Sequence, residues 1–232
     1  MLILAIEQST PEAGLMLFRD GVTLALHEWR EERKRDQNLF AALPALLQTG
    51  QINIADLDRI AVGLGPGSFS GVRIAIAAVS ALALPSRTPL CGVSSVEALA
   101  SRIAHERESS SVAVIGDARR ERLWMAVYGK EMEGQPLRVI QKLSLLPATE
   151  LRDRLPPECC VVTTEWDRLE GVLQPLAATG IDVIPHSCMP HVSDVARLAA
   201  QQPASCLASP LDPPQPLYLH PAVFVPPRFA VR

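Results

Sequence analysis

The sequence predicts an α/β protein built in two halves. Three observations predict it. Two apolar runs near the start are joined by Asp20-Gly21, residues 59–84 read strand, glycine-rich loop, helix, and a second pair of strands over 112–128 follows the polar stretch 107–111. Asp-Gly between apolar runs signals a hairpin because both central residues of the tight turn need positive φ. Hydrophobic residues make up 48% of the 232 and charged residues 20%, a globular mix with enough chain for one large domain or two small ones. Aromatics are only 4%, so the core has to be aliphatic.

In chain order, residues 2–7 read as a buried strand, and 14–19 with 22–29 complete a three-stranded antiparallel meander. The charged stretch 30–37 reads as a solvated connection rather than an RNA patch. Leu39, Phe40, Leu43, Leu46 and Leu47 recur at helical spacing over about 37–49, with Gly50 as stop and Pro44 marking a kink or a late start. A buried strand at 59–64 leads into Gly65-Pro66-Gly67-Ser68-Phe69-Ser70-Gly71 and a helix over about 70–84. From Val72 to Leu84 its only polar residues are Arg73 and Ser80, seven apart and so on one stripe. A helix this apolar has to be covered nearly all round, which predicts a partner at its outer surface.

A strand at 89–93 and a helix from Ser95 to about Glu106 close the first half, with Ser94 and Glu97 at capping-box spacing. Residues 107–111 read as a linker. Strands follow at 112–117 and 122–128, then near 138–143 and 160–164, and a last helix over 193–202 with Ser193 as N-cap and Pro203 as stop. The tail from 203 carries eight prolines and reads as an extended strap or loose end. No internal repeat is visible, although both halves begin with paired strands.

A net charge of −3 disfavours a protein that grips nucleic acid alone, so any RNA contact is expected through a partner. Met1–Ile6 is apolar but short and lacks a basic n-region, so it does not read as a signal peptide, and no run is long enough to cross a bilayer. Cys91, Cys159, Cys160, Cys188 and Cys206 lack metal-ligand spacing and read as reduced cytosolic thiols, predicting a cytoplasmic protein. His27, His105, His186, His191 and His220 are scattered and read as surface or structural residues. No Gly-x-Ser-x-Gly elbow is present. The loop formed by Gly65, Gly67, Ser68, Phe69, Ser70 and Gly71 has two readings of equal weight: an anion site at a helix N-terminus, or a tight strand-to-helix turn with no ligand. It is neither a Walker loop nor a dinucleotide fingerprint.

The stretch Gly65-Pro66-Gly67-Ser68-Phe69-Ser70-Gly71-Val72-Arg73-Ile74 closely resembles the signature of the TsaB (YeaZ) family, where Thr often stands at the place of Ser70. Leu57–Gly63 precedes it as in the family, and Gly92–Ala100 resembles the next block. Asp117-Ala118-Arg119-Arg120 resembles the second-domain hairpin, and Pro216-Leu217-Tyr218-Leu219 the closing motif. The resemblance is dense up to about 128 and thin over 130–190. It implies an actin/Hsp70-like ATPase (RNase H-like) fold with mixed sheets, divided here as 1–107 and 108–232.

The resemblance further implies a non-catalytic scaffold that binds the catalytic subunit TsaD. With the ATPase TsaE, that complex transfers threonylcarbamoyl to an adenosine beside the anticodon of tRNA. The tRNA is then met indirectly, ATP or ADP enters only within the complex, and the lone subunit tends to form a homodimer through the same surface. Carried onto this chain, that surface is Leu39, Phe40, Leu43 and Leu47 of the first helix and Arg73, Ile76, Ala77, Ser80 and Ala81 of the second. Active members of the fold place an Asp and small residues in the first hairpin. Here Glu7-Gln8-Ser9-Thr10-Pro11 is longer, bulkier and free of glycine, a poor phosphate loop. Catalytic relatives also place two His at i, i+4, and Asn38 stands near such a position, so no catalytic or metal residue is expected. A stand-alone phosphotransferase is the alternative, with Glu7 its only metal-ordering candidate; a metalloprotease-like enzyme lacks ligands altogether. The chain departs from the family at Ala75, Ser80 and Ala81, where Gly, Lys and Gly are common, and at Glu121-Arg122, where Gly-Glu is common. Those changes leave the fold but weaken any nucleotide contact from the second helix. Asp117, Arg119 and Arg120 read as a surface turn with a local ion pair rather than an RNA contact.

Overall fold

The computed structural model describes residues 1–31, 38–130 and 137–219. The charged stretch 32–37, His220 and the last prolines of the tail fall outside the described residues. β1 (Leu2–Glu7), β2 (Glu12–Arg19) and β3 (Val22–Arg30) form the expected meander, with Asp20 and Gly21 both at positive φ in the first turn. α1 (Asn38–Gly50) follows and carries Pro44 within it. β4 (Arg59–Gly63) then runs parallel to β1, α2 (Phe69–Ala83) crosses over, and β5 (Leu90–Val93) lies parallel beside β4.

The second half repeats this plan. After α3 (Ser95–Glu106), β6 (Ser111–Asp117), β7 (Arg122–Gly129) and β8 (Arg138–Pro147) form a second antiparallel meander. The short α4 (Leu151–Arg154) precedes β9 (Cys160–Thr163), which runs parallel to β6. α5 (Trp166–Ala177) leads to β10 (Asp182–Ser187), parallel to β9, and α6 (Val192–Gln201) closes the regular structure. The sheet orders are β3-β2-β1-β4-β5 and β8-β7-β6-β9-β10. The two mixed five-stranded sheets therefore share one topology, that of the actin/Hsp70-like (RNase H-like) fold. The repeat is in topology, not residue identity, which is why it is invisible along the sequence.

The inner strands of each sheet are buried on both faces, while the edge strands β3 and β8 are largely exposed. α1 and α2 cover one face of the first sheet, packing Leu39, Leu43, Leu46, Val72, Ala75, Ile76 and Val79 on Leu4, Ile6, Leu15 and Ile60. α6 covers the other face with Val195, Ala196 and Ala199 against Ile3, Ala5, Met16 and Ala61. α3 falls in the first half of the sequence, yet it packs mainly on the second sheet through Val96, Leu99, Ala100 and Ile103. α5 fills the opposite face of that sheet with Leu169, Leu173 and Leu176.

Two local expectations change. Ser94 caps α3 as the capping-box spacing indicated, accepting from the Glu97 N–H. At α6 the N-cap is His191, not Ser193: its Nδ1 accepts from the Ser193 N–H, and its Nε2 meets the Glu28 carboxylate of β3. The helix therefore starts one residue earlier, because a side chain from another strand fixes the cap. The tail is a strap over its described part. Ala208 pairs with Leu90 at the β5 edge, and the Leu217 N–H donates to the Leu64 carbonyl.

Candidate functional site

Equivalent loops of the two halves face each other across a cleft of about 410 Å³. The first half supplies the Ser9–Pro11 turn after β1 and the Pro66–Ser68 loop after β4. The second supplies Asp117–Arg119 after β6 and Thr164–Glu165 after β9. The end of each first strand carries an acid, Glu7 in β1 and Asp117 in β6, at matching places in the two sheets.

Both acids are engaged within the chain. Glu7 is 1% exposed; its Oε1 accepts from the Ser9 N–H at 2.6 Å and its Oε2 from the Ser95 hydroxyl at 2.8 Å. Burial raises its pKa above the ordinary value of 4.5, and the bonds from Ser9 and Ser95 only partly offset that. Ser95 Oγ also accepts from the Gly65 N–H, so one hydroxyl ties β1 to the glycine loop. Asp117 Oδ1 accepts from the Arg119 N–H at 2.7 Å, and its Oδ2 pairs with Arg119 at 3.2 Å and Arg168 at 3.6 Å. The turn beyond it has the local ion pair that the sequence suggested, with Arg119, Arg120 and Glu121 all at positive φ.

The glycines of the 65–71 loop have a packing reason of their own. A Cβ on Gly67 would lie 2.1 Å from the Ser9 carbonyl oxygen, and one on Gly71 would lie 2.3 Å from that of Gln8. The Ser68 N–H donates to the Ser9 carbonyl at 2.6 Å, so the loop is locked backbone to backbone on the first turn. Ser68 caps α2 by accepting from the Gly71 N–H. Phe69 and Ser70 point outward at the head of α2.

The expected partner surface divides by burial. Leu39 and Leu43 of α1 and Ile76 of α2 lie in the core, at 1%, 7% and 8% exposure, and are not available on the surface. They are the residues of the helical stripe that faces the sheet, and helical spacing alone does not separate that stripe from an outer one. Leu47 is half-buried. Phe40, Arg73, Ala77 and Ala81 are exposed, Ser80 is partly so, and Ile74 and Leu84 join them. Within this chain α2 is covered on its sheet-facing side only: its outer face is open, largely apolar and rich in alanine. The sequence reading gave the tail as a strap or loose end but did not foresee its contact with α2. The Tyr218 hydroxyl accepts from Arg73 Nε at 3.1 Å and from its Nη2 at 2.7 Å, and the guanidinium lies 3.4 Å from the Phe69 ring centre. An Arg and a Tyr 145 positions apart give no local signal of that contact.

Comparison with known proteins follows this geometry. A family model described as TsaD, tRNA N6-adenosine threonylcarbamoyltransferase, matches residues 31–141. The Escherichia coli K12 protein TsaB, described as a tRNA threonylcarbamoyladenosine biosynthesis protein, is 32% identical over 134 residues, 58% of each chain. Its counterpart in Bacillus subtilis 168 is 32% identical over 128 residues, 55% of each. The chain thus spans less than two thirds of the length of these curated relatives. A Pseudomonas aeruginosa protein described as similar to the peptidase YeaZ superimposes with a TM-score of 0.76 at 27% identity, over 94% of this chain and 99% of that one. YeaZ from the same organism gives 0.71 at 26% identity, over 86% and 92%. The loop signature, the duplicated topology and these matches together make the chain similar to the TsaB (YeaZ) proteins in sequence over more than half of its length and in fold over nearly its whole length.

Proposed function

We propose that this chain is a non-catalytic subunit of the machinery that forms threonylcarbamoyladenosine in tRNA, acting by binding and activating the catalytic subunit TsaD. The observation that carries the reading is the open apolar face of α2, with Phe40 of α1 beside it on the same side of the sheet. A contiguous exposed apolar face of this kind marks a protein-binding surface. The bonding of Glu7 and Asp117 supports the non-catalytic part. A carboxylate that orders a metal-bound water has to face the cleft, whereas Glu7 is 1% exposed and each of its oxygens already accepts from Ser9 or Ser95. TsaE and tRNA join through TsaD, ATP or ADP enters only in the assembled complex, and the subunit works in the cytoplasm.

The test is reconstituted tRNA modification with TsaD, TsaE and the enzyme that supplies the carbamoyl-adenylate, with and without this chain. Activity that requires the chain, with no ATP turnover by the chain alone, is the expected result. Equal activity without it, or robust turnover by the isolated chain, supports a stand-alone phosphotransferase instead.

A further inference from the structure

Arg73 is the one charged residue of α1 and α2 together, and neither helix contains Asp or Glu. Among the described residues no carboxylate pairs with it. It is nonetheless held in place: the Tyr218 hydroxyl receives Nε and Nη2 on one edge, Phe69 lies under its plane, and the Tyr218 ring centre is 5.1 Å away. Both rings are exposed, Phe69 at 67% and Tyr218 at 48%, so the guanidinium sits in an aromatic frame at the open end of the apolar face. An arginine with its plane fixed by stacking and one edge occupied is pre-organised to offer its remaining N–H groups to a carboxylate.

We propose that Phe69, Arg73 and Tyr218 form the polar anchor of the docking face and receive a carboxylate that projects from an apolar surface of the partner. The C-terminal strap is thus part of the interface rather than a passive tie. The inference rests on the proposed function, since it specifies the chemistry of that same surface. A second copy of this chain is a poorer occupant than a different protein. An isologous contact sets the same patch against itself, and this patch supplies one guanidinium and no carboxylate. The counter-charge has to come from a chain with a different sequence.

The experiment measures TsaD affinity and self-association for wild type, Arg73→Ala, Arg73→Glu, Arg73→Lys and Tyr218→Phe, with thermal unfolding as the folding control. Arg73→Ala is expected to weaken TsaD binding about 30-fold, and Arg73→Glu further, because a central charged pair at an interface acts as a hot spot. Arg73→Lys recovers only part, since a point charge neither stacks nor forks. Tyr218→Phe weakens binding by about 5-fold through loss of the hydroxyl that fixes the guanidinium. Self-association is unchanged or stronger in Arg73→Ala. Wild-type binding with Arg73→Ala within about twofold of it overturns the anchor and leaves the proposed function standing. Equal losses for Arg73→Ala and Arg73→Glu reduce the site to an apolar contact and also overturn it. Self-association that falls in step with TsaD binding makes a second copy the occupant. No binding of wild type to TsaD removes the proposed function and this inference together.

Discussion

Glu7 ends the central strand of the first sheet without access to water, and its behaviour follows from that. Its folded pKa lies above 4.5 because burial disfavours the charge more than Ser9 and Ser95 favour it. The sign of the linkage is fixed by this shift. Above the folded value Glu7 is ionised in both states and the native state carries the full desolvation cost. Below 4.5 it is neutral in both and the cost is gone, so the Glu7 contribution to stability is lost as pH rises through the folded value. Glu7→Gln removes that dependence. The difference in urea midpoint between wild type and Glu7→Gln is expected to change between neutral pH and pH 4, wild type gaining relative to the variant on acidification. Reconstituted tRNA modification by a folded, TsaD-bound Glu7→Gln subunit stays near wild type; a fall of about tenfold or more would assign Glu7 a direct chemical part. The identity and burial of Glu7 were readable from an apolar run that ends in an acid. Its two bond partners were not, since Ser95 is 88 positions away.

α2 concentrates the readings that act at the level of an element. Its boundaries were legible from the glycine loop and the unbroken apolar run, and the structure added the Ser68 cap. Which of its stripes faces out was not, because both are apolar, and Ile76 proved to be core while Ala77 and Ala81 are exposed. Ala77→Glu or Ala81→Glu is expected to weaken TsaD binding by about 100-fold or more, through a charge buried without a partner in the interface. Stability should move by no more than about 0.5 kcal/mol, as for other exposed sites. Normal affinity in either variant, read by calorimetry or pull-down, would place the docking face elsewhere. The β6–β7 turn offers a second test. Glu121 holds φ of 59°, a left-handed conformation that strains a residue with a Cβ. Glu121→Gly is expected to raise stability by about 1 kcal/mol, and an unchanged or lower unfolding midpoint would contradict that. α5 was missed for equally local reasons. Its N-cap residue, Glu165, makes no side-chain cap bond and the helix contains Gly171 and Pro175, so the usual start signal and interior pattern are both absent.

Across the whole molecule the inner strands of the two sheets are buried on both faces, and the cysteines report on that burial. Cys91, Cys159, Cys160 and Cys188 are buried and only Cys206 is exposed. Burial pushes the thiols of Cys91 and Cys159 up to about 11 and that of Cys160 to about 12. Thiolate is the reactive form, so the buried four are protected twice over, by access and by protonation. A thiol reagent at neutral pH should therefore modify one site quickly in the native protein and all five only after denaturation. Two or more fast sites would mean that a sheet face opens readily.

The sequence by itself determined the local features: the first meander, the paired strands that open the second half, the Ser94 cap, the strand–loop–helix unit and the apolar character of α2. Each is carried by residues within a few positions of one another, where turn geometry, capping and periodicity act. The family signature over 65–74 is local in the same way. Only the tertiary structure decided what joins distant residues. It paired β1 with β4 and β6 with β9, gave the halves one topology, moved the α6 cap to His191 through Glu28, turned Leu39, Leu43 and Ile76 inward, and brought Tyr218 onto Arg73. The physical reason is common to all of these. Parallel pairing, burial and the strap contact depend on which surfaces meet after the chain crosses over, and no spacing along the chain encodes that meeting directly.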